Sequence, residues 1–257
     1  THTGVMITGS HNPPEYNGLK MMVDGTTLSS DEIQLLYQMI LDKNFHNGKG
    51  DLYYQDIKND YLNKIKESIH LKRSMEISID CGNGAAGVCA EELFLSLGVK
   101  VNSLFCNVDG NFPNHHPDPS NPKNLIDLQQ NVKDTNSELG LAFDGDGDRL
   151  GVVTESGEII YPDRQLLLFA EDVLDKNPGA SIIFDVKSTR HLFKWIKDKG
   201  GIPIIWKTGH SLIKAKMKKE SALLAGEMSG HTFFADRWYG FDDGVYAGAR
   251  LLEILSN

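Results

Sequence analysis

An acidic loop, Phe143-Asp144-Gly145-Asp146-Gly147-Asp148-Arg149, constrains this chain more than any other segment. Its three aspartates alternate with glycine, and carboxylates held this closely repel one another unless a cation lies among them. Oxygen ligands that are all anionic suit a hard divalent ion such as Mg²⁺ or Ca²⁺, and they argue against zinc or copper. Glycine at the intervening positions lets the backbone turn around an ion. The loop therefore predicts a divalent-metal site, with an ordinary acidic surface loop as the alternative.

Two known loops of similar spacing fit this segment less well. An EF-hand needs glycine at loop position six and glutamate at position twelve. Glu155 supplies the glutamate at position twelve, but position six is occupied by Arg149 instead of glycine. The flanking residues 139–143 and 150–154 also predict strands instead of helices. The Asp-x-Asp-x-Thr loop of haloacid-dehalogenase-type phosphatases has threonine where this chain has Asp148. A third carboxylate serves a metal ion better than it serves a phosphate group.

Size, charge and cysteine content narrow the possible partners. The chain has 257 residues, 40% hydrophobic and 24% charged, which is typical of a soluble globular protein of about two domains. A formal net charge of −9 without a basic stripe argues against nucleic acid and membranes as partners, and no apolar run reaches the length of a membrane span. Cys81, Cys89 and Cys106 lack CxxC spacing and predict reduced thiols in a cytoplasmic protein. Because the first residue is Thr1 and a strong motif follows at once, we expect an internal piece of a longer protein.

A pattern of strand, aspartate, helix and strand occurs twice in the chain. In the first copy a strand over residues 75–79 reaches Asp80, and a helix over 86–97 leads to a second strand. In the second copy a strand over 181–184 reaches Asp185, and a helix over 189–199 leads to another strand. This weak internal repeat predicts two α/β domains of related topology.

The N-terminal segment carries a candidate nucleophile. A strand over residues 4–8 runs into a loop with Ser10 and His11, and a return strand over 19–23 carries Lys20. Taken alone, Ser10 is more typical of a turn serine beside prolines, and the G-x-S-x-G pattern of hydrolases is absent around it. A divalent-metal loop elsewhere favours a phosphoryl-accepting serine, because the metal ion neutralises the phosphate. If the loop doubles back, Lys20 places a cation or a general acid near Ser10.

Further polar groups lie in the last third of the chain. An extended segment there presents three polar side chains on one face, which suits a sugar: Glu227, Ser229 and His231. A polar edge strand is the alternative for this segment. Residues 187–190 and 207–211 each follow a strand and begin a helix, which favours phosphate binding. Asp242-Asp243 predicts a helix cap more than a second metal site.

Five motifs together resemble the α-D-phosphohexomutase family. They are Thr8-Gly-Ser-His-Asn-Pro13, Tyr16-Asn-Gly-Leu-Lys20, Asp144-Gly-Asp-Gly-Asp-Arg149, Thr208-Gly-His210 and Gly226-Glu-Met-Ser-Gly-His231. Their order and spacing match the family over nearly the whole chain. Within the family the sequence is most similar to the bacterial phosphomannomutase/phosphoglucomutase group, since phosphoglucosamine mutases usually carry Gln where Met228 stands. The alternatives are a phosphoglucosamine mutase and a catalytically incomplete metal-binding fragment.

The resemblance implies a fold and a reaction. The fold is a tandem of related three-layer α/β domains with mixed sheets: a remnant of domain 1 over residues 1–55, domain 2 with the metal loop over 56–158, and domain 3 with the sugar loop over 159–257. The reaction is a reversible, Mg²⁺-dependent 1-to-6 phosphoryl transfer on mannose or glucose phosphates. It proceeds through a phosphoserine and a hexose 1,6-bisphosphate.

The resemblance also implies roles for individual residues. The phosphoryl carrier is Ser10, and its phosphate joins the metal ligands Asp144, Asp146 and Asp148. Proton transfer and charge stabilisation involve His11, Lys20 and Arg149. The sugar hydroxyls are held by Glu227 and Ser229, in a cleft that is lined by His231, His210 and Lys187. Gly9 stands where the family usually has alanine. Most of domain 1 and all of domain 4 are missing, so we expect this chain alone to bind Mg²⁺ weakly and to show no turnover.

Overall fold

The computed structural model describes residues 2–13 and 15–257. It begins with a small antiparallel sheet of β1 (Gly4–Ile7), β2 (Leu19–Val23) and β3 (Thr26–Thr27), in which the side chains of β1 are exposed. Helix α1 (Ser30–Leu41) follows, and Ser29 is its N-cap as the sequence predicts. The Glu32 carboxylate accepts a hydrogen bond from the Ser29 amide at 2.9 Å, which completes a capping box.

The second unit of the structure is a five-stranded mixed sheet with helices packed against it. In chain order it contains α2 (Lys58–Ser68), β4 (Glu76–Asp80), α3 (Ala90–Ser96), β5 (Lys100–Leu104), α4 (Ile126–Thr135), β6 (Leu139–Phe143), β7 (Leu150–Thr154) and β8 (Ile159–Ile160). The strand order is β5-β4-β6-β7-β8, with β4 parallel to both of its neighbours and the remaining pairs antiparallel. The apolar run of β6 is buried throughout, as a central strand requires.

The third unit repeats this arrangement with four strands. It contains α5 (Pro162–Lys176), β9 (Ser181–Asp185), α6 (His191–Asp198), β10 (Ile202–Trp206), α7 (His210–Glu220), β11 (Leu224–Gly226), β12 (Thr232–Phe234) and α8 (Gly244–Leu255). The strand order is β10-β9-β11-β12, with β9 parallel to β10 and β11, and β12 antiparallel. The two mixed sheets confirm the predicted tandem of related α/β domains.

Two predicted helices have different bounds in the structure. The helix predicted over residues 86–97 is divided into a 3₁₀ turn, Ala85–Val88, and α3. The first turn is tied to other loops, because the Ala85 amide donates to the Gly145 carbonyl at 2.9 Å and Gly87 packs on the Cys106 carbonyl. The sequence also predicts a helix over residues 166–174, and in the structure this helix begins earlier, at Pro162, since proline is well suited to the first turn of a helix.

One apolar core continues from the second unit into the third. Gly248 of α8 faces Leu141 and Phe94 of the second unit so closely that an added Cβ would lie 3.2 Å and 3.4 Å from them. The fully buried guanidinium of Arg250, on the same helix, bonds to Asp172 at 2.7 Å and to Asp236 at 2.9 Å. This shared core fixes the loops of one unit against those of the other. No helix within residues 2–13 and 15–257 combines the length and apolar character needed to cross a bilayer.

Candidate active site

The loop between β1 and β2 holds Ser10 in a left-handed backbone conformation, with φ of 52°. This conformation is uncommon for a residue with a side chain and costs of order 1–3 kcal/mol unless the surroundings hold it. The Thr8 hydroxyl accepts a hydrogen bond from the Ser10 amide at 2.8 Å and donates one to Asp146 at 3.0 Å. Gly145 packs on the Ser10 carbonyl, which an added Cβ would approach to 2.0 Å. The predicted nucleophile is therefore held directly against the acidic loop.

The acidic loop connects β6 and β7 and brings its three carboxylates together. Oxygen atoms of Asp144, Asp146 and Asp148 all lie within 4.8 Å of one another. Burial, and then the negative charge of Asp148, raises the pKa of Asp144 to about 7. One buried oxygen of Asp146 and one of Asp148 have no hydrogen-bond partner among the described residues. Two oxygens of the cluster thus remain available to a cation.

Lys20 reaches into this cluster from β2. Its ammonium lies 2.7 Å from Asp146 and 2.6 Å from Asp148. Burial opposes the charge on Lys20, but the negative charge of Asp148 and the hydrogen bonds to both aspartates outweigh it and raise the pKa of Lys20. The same contact outweighs burial at Asp146 and holds the pKa of that carboxyl below its usual value. Lys20 is therefore a fixed positive charge at the predicted metal site.

Arg149 links the acidic loop to a second loop of the same unit. Its buried guanidinium donates to Asp144 at 2.8 Å and to Asp118 at 3.1 Å, and its Nη2 has no partner among the described residues. His11 lies nearby, and burial followed by the charge of Arg149 lowers its pKa. The Ser10 hydroxyl lies 3.0 Å from Nδ1 of His11. The predicted nucleophile thus lies beside an imidazole that is influenced by the charge of Arg149.

Residues 227–231 form a tight turn between β11 and β12, so the prediction of one extended face was wrong. The Glu227 amide bonds to the His231 carbonyl at 2.9 Å, and Gly230, with φ of 105°, reverses the chain. The Glu227 carboxylate is buried and accepts the Gly209 amide at 2.5 Å, and burial raises the pKa of Glu227. Ser229 instead lines a separate cavity of about 210 Å³ between the two units.

His231 joins the third unit to the acidic loop. Its Nδ1 lies 3.4 Å from Asp148 and 3.2 Å from Asp242. Burial lowers its basicity, but the nearby carboxylates of Asp242 and Asp148 outweigh burial and raise the pKa of His231. His210 contributes a more distant contact, 3.7 Å from Asp242, and burial lowers its pKa. A cavity of about 1150 Å³ adjoins His210, Lys20 and the acidic loop.

Sequence reasoning missed the contacts of three residues in this cluster: Thr8, Asp118 and Asp242. Thr8 begins one of the five motifs and Asp118 lies in a proline-rich loop of the second unit, but nothing in their spacing shows that they contact the acidic loop. Asp243 does cap α8, where its side chain accepts the Tyr246 amide. Asp242 instead bonds to Lys214 at 2.8 Å and faces His231.

Lys187 is the predicted site residue that the structure leaves apart. It is exposed on the turn after β9, and within residues 2–13 and 15–257 no hydrogen bond or ion pair joins it to the other groups. The remaining predicted residues either contact the acidic loop or lie within one residue of such a contact, except Glu227, Ser229 and His210, which lie on neighbouring loops of the third unit.

The donor set of the acidic loop fits a divalent cation. All three side chains offer oxygen, the atoms converge, and two buried oxygens accept no hydrogen bond from the described residues, although His231 approaches one of them to 3.4 Å. Such hard, anionic ligands are those that Mg²⁺ and Ca²⁺ bind in proteins. Asp144, Asp146 and Asp148 are the residues that would hold the ion.

Comparison with known proteins agrees with this arrangement. Three domain families of phosphoglucomutase/phosphomannomutase match the chain: alpha/beta/alpha domain I over residues 1–47, domain II over 52–157 and domain III over 161–257. The chain belongs to the α-D-phosphohexomutase family.

Particular relatives narrow the resemblance further. The chain is 59% identical over 254 residues to a phosphomannomutase/phosphoglucomutase of Pseudomonas syringae pv. tomato, covering 99% of this chain and 55% of the relative. It is 61% identical over 256 residues to a phosphoglucomutase of Neisseria meningitidis, covering 99% of this chain and 56% of the relative. The crystal structure of a phosphoglucomutase/phosphomannomutase family protein from Burkholderia thailandensis matches with a TM-score of 0.97 and 57% identity, over 99% of this chain and 56% of that one. The chain thus spans a little over half the length of these relatives.

Proposed function

We propose that the protein carrying this sequence is a phosphomannomutase/phosphoglucomutase, which moves a phosphoryl group between the 1- and 6-positions of a hexose. The observation that carries the proposal is the seating of Ser10 on the acidic loop, through the Thr8 hydroxyl and the close contact at Gly145. A phosphoryl group on Ser10 would lie beside the proposed metal ligands, which Lys20 and Arg149 also contact. The names of the close relatives support the same reaction.

Different side chains are proposed to have different roles in phosphoryl transfer. Asp144, Asp146 and Asp148 would hold Mg²⁺, which would supply charge neutralisation and polarisation of the phosphoryl group. Lys20 and Arg149 remain charged, because the pKa of each is raised by its carboxylate neighbours, and they stabilise the negative charge of the group in transfer. The lowered pKa of His11 keeps its imidazole neutral near pH 7. Its Nδ1 can therefore take the proton of Ser10 when the serine is rephosphorylated.

The third unit supplies groups that suit a sugar. The carboxylate of Glu227 is a hydrogen-bond acceptor for two neighbouring hydroxyls, and each such charge-assisted bond is worth about 1.5–3 kcal/mol. The His231 imidazole stands between Asp148 and Asp242, whose charges raise its pKa, and it can donate to a substrate oxygen next to the proposed metal site. His210, Ser229 and Lys187 remain proposed sugar-phosphate contacts; the structure supports His210 by its position at the large cavity, whereas Ser229 lines a separate cavity and Lys187 is exposed on the turn after β9.

We assign further properties on the same basis. The substrates are mannose or glucose 1- and 6-phosphates, with a hexose 1,6-bisphosphate as intermediate and no role for nucleic acid or membrane. Three free cysteines support a cytoplasmic location. The proposed domains are residues 1–55, 56–158 and 159–257, with the phosphoserine, the metal loop and the sugar loop in that order.

Phosphorylation of Ser10 tests the proposal most directly. Dephosphorylated protein is incubated with glucose 1,6-bisphosphate and Mg²⁺, and the labelled peptide is mapped by mass spectrometry. We expect the label on Ser10, and we expect Ser10→Ala in the full-length protein to lose it together with at least about a thousandfold of the mutase turnover in a coupled glucose 6-phosphate assay. Ser120→Ala removes another hydroxyl near the cluster and should keep both. A label elsewhere, or wild-type turnover in Ser10→Ala, contradicts the assignment.

A further inference from the structure

Asp185 is a buried carboxylate that contacts three separate loops. It ends β9 and is fully buried. One of its oxygens accepts the Ser188 hydroxyl at 2.7 Å, the Ser188 amide at 3.1 Å and the Met228 amide at 3.3 Å. The other accepts the Thr208 hydroxyl at 3.0 Å. No cation pairs with Asp185 in the part of the chain that the structure describes, so these four donors alone compensate its burial.

The topology of the sheet explains why three loops meet at this residue. Strand β9 is central, and the chain leaves it toward β10 on one side before it returns as β11 on the other. Such a reversal of direction is where ligands bind at the carboxyl ends of parallel strands. Asp185 lies at this point, between the turn after β9, the turn after β10 and the turn after β11.

Each of these three loops carries a residue proposed above to bind the sugar phosphate. The turn after β9 holds Lys187, the turn after β10 leads from Thr208 to His210, and the turn after β11 holds Glu227. A second contact couples two of the loops, because the Glu227 carboxylate accepts the Gly209 amide. Asp185 itself faces the loops from below and is closed off from solvent.

We propose that Asp185 is a positioning residue, whose carboxylate holds the three sugar-phosphate loops of the third unit in one arrangement. This inference deepens the proposed function and rests on it for the identity of the ligand. Removing the carboxylate leaves the loops without a common anchor, so the Glu227 and Lys187 contacts no longer form together.

Two substitutions at Asp185 separate positioning from a role of its charge. Asp185→Ala removes every acceptor. Asp185→Asn keeps an oxygen for the Ser188 and Met228 donors, and its amide NH₂ can donate to the Thr208 hydroxyl oxygen, so the geometry survives without the charge. If Asp185 acts by positioning the loops, Asp185→Asn should retain most of the loop order and ligand affinity that Asp185→Ala loses. If its charge is what matters, the two variants should lose loop order and affinity equally.

Hydrogen exchange measures the loops without reference to any activity. In Asp185→Ala we expect exchange to accelerate at least about tenfold in residues 186–190, 207–210 and 227–231 together, and less than threefold in Asp185→Asn. Thr208→Val removes one contact and should loosen 207–210 alone. Asp80→Ala is the matched control at the same position of the other sheet, where the carboxylate binds Gly82 and His115, and it should leave all three loops unchanged.

Binding of glucose 6-phosphate, measured by calorimetry, supplies the functional readout. We expect its Kd to rise at least about tenfold in Asp185→Ala and to stay within about threefold in Asp185→Asn, with Mg²⁺ affinity unchanged in both. Loosening of one loop only, or an unchanged Kd when all three loops are loose, overturns the proposal. If Asp185→Ala does not fold, Thr208→Val provides the test. Hydrogen exchange of residues 207–210 that is equal in Thr208→Val and in the wild type then overturns the proposal. Failure of the wild-type protein to bind glucose 6-phosphate counts against the proposed function, and exchange then decides the positioning role by itself.

Discussion

Replacing Lys20 with methionine tests whether this side chain competes with a metal ion for the acidic loop. The Lys20 ammonium lies 2.7 Å from Asp146 and 2.6 Å from Asp148, so it already neutralises part of the loop's charge. A divalent cation on the remaining oxygens meets this positive charge at close range. We therefore expect Lys20→Met to bind Mg²⁺ more tightly than the wild type, although Lys20 is proposed to assist phosphoryl transfer.

The size of the effect follows from Coulomb's law and from the exposure of the pair. Two unit charges about 4 Å apart interact by about 1 kcal/mol in water and about 4 kcal/mol at an effective dielectric constant near 20. Because the Lys20 side chain is only 28% exposed, the value for water is a lower limit for this pair, and we take that limit. Doubling it for a divalent ion gives about 2 kcal/mol, so the Kd for Mg²⁺ should fall by about 10- to 30-fold.

Isothermal titration of dephosphorylated protein with Mg²⁺ measures this change. Lys214→Met is the matched control, because it removes the same charge from an ion pair with Asp242 and not with the loop carboxylates. We expect its Kd to change by less than about threefold. A Kd for Lys20→Met equal to or above the wild-type value refutes the competition, and equal gains in the two variants trace the effect to net charge instead.

Three further predictions concern stability, each measured by urea unfolding. Gly87→Ala places a Cβ 2.1 Å from the Cys106 carbonyl oxygen and should cost about 3 kcal/mol or more, whereas Gly110→Ala, which meets nothing within 4 Å, should stay within about 0.5 kcal/mol; similar costs would contradict the packing. Arg250→Met removes the fully buried guanidinium that pairs with Asp236 and Asp172, of which Asp172 keeps another ion pair, with Lys176, and it should cost about 3 kcal/mol; an unchanged midpoint would show that the ion pairs contribute nothing. Burial raises the pKa of Asp243 to about 6, so its protonated form is the stabilising one and this stability is lost as pH rises from about 4 through 6. Relative to wild type, Asp243→Asn should gain about 2 kcal/mol between pH 4.5 and 7.5, and a constant difference would reject the shift.

Elements that depend on neighbouring residues were predictable from the sequence. The apolar runs of β6 and β9 bounded by polar residues predict strands, and Ser29 followed by Glu32 predicts the start of α1. The aspartates of the acidic loop lie close together because only single glycines separate them, so their suitability for a metal ion can be predicted without knowing the fold. The two βαβ repeats can be recognised in the sequence for the same reason, since each extends over only about thirty residues.

Elements that depend on contacts across the chain were predicted poorly. The face shared by Glu227, Ser229 and His231 was wrong, because the Glu227 amide and the His231 carbonyl pair with each other and close a turn. Alternating polar residues are compatible with both a strand and a turn, and Gly230 decides between them only through its left-handed conformation in the folded chain. Asp242 was assigned to a cap because its partners, Lys214 and His231, are not adjacent to it in sequence.

By itself, the sequence determined which chemical groups this protein has and which local structures carry them. It specifies three carboxylates suited to a divalent ion, a serine in a loop, and two α/β repeats, because spacing within a few residues is set by covalent geometry. Only the tertiary structure decided which groups meet. Lys20 bonds to Asp146, which is 126 residues away in the sequence. Asp185 accepts hydrogen bonds from turns that follow three different strands. Such contacts depend on how the sheets pack and where strand order reverses, and those follow from burial of the whole core and not from any one segment.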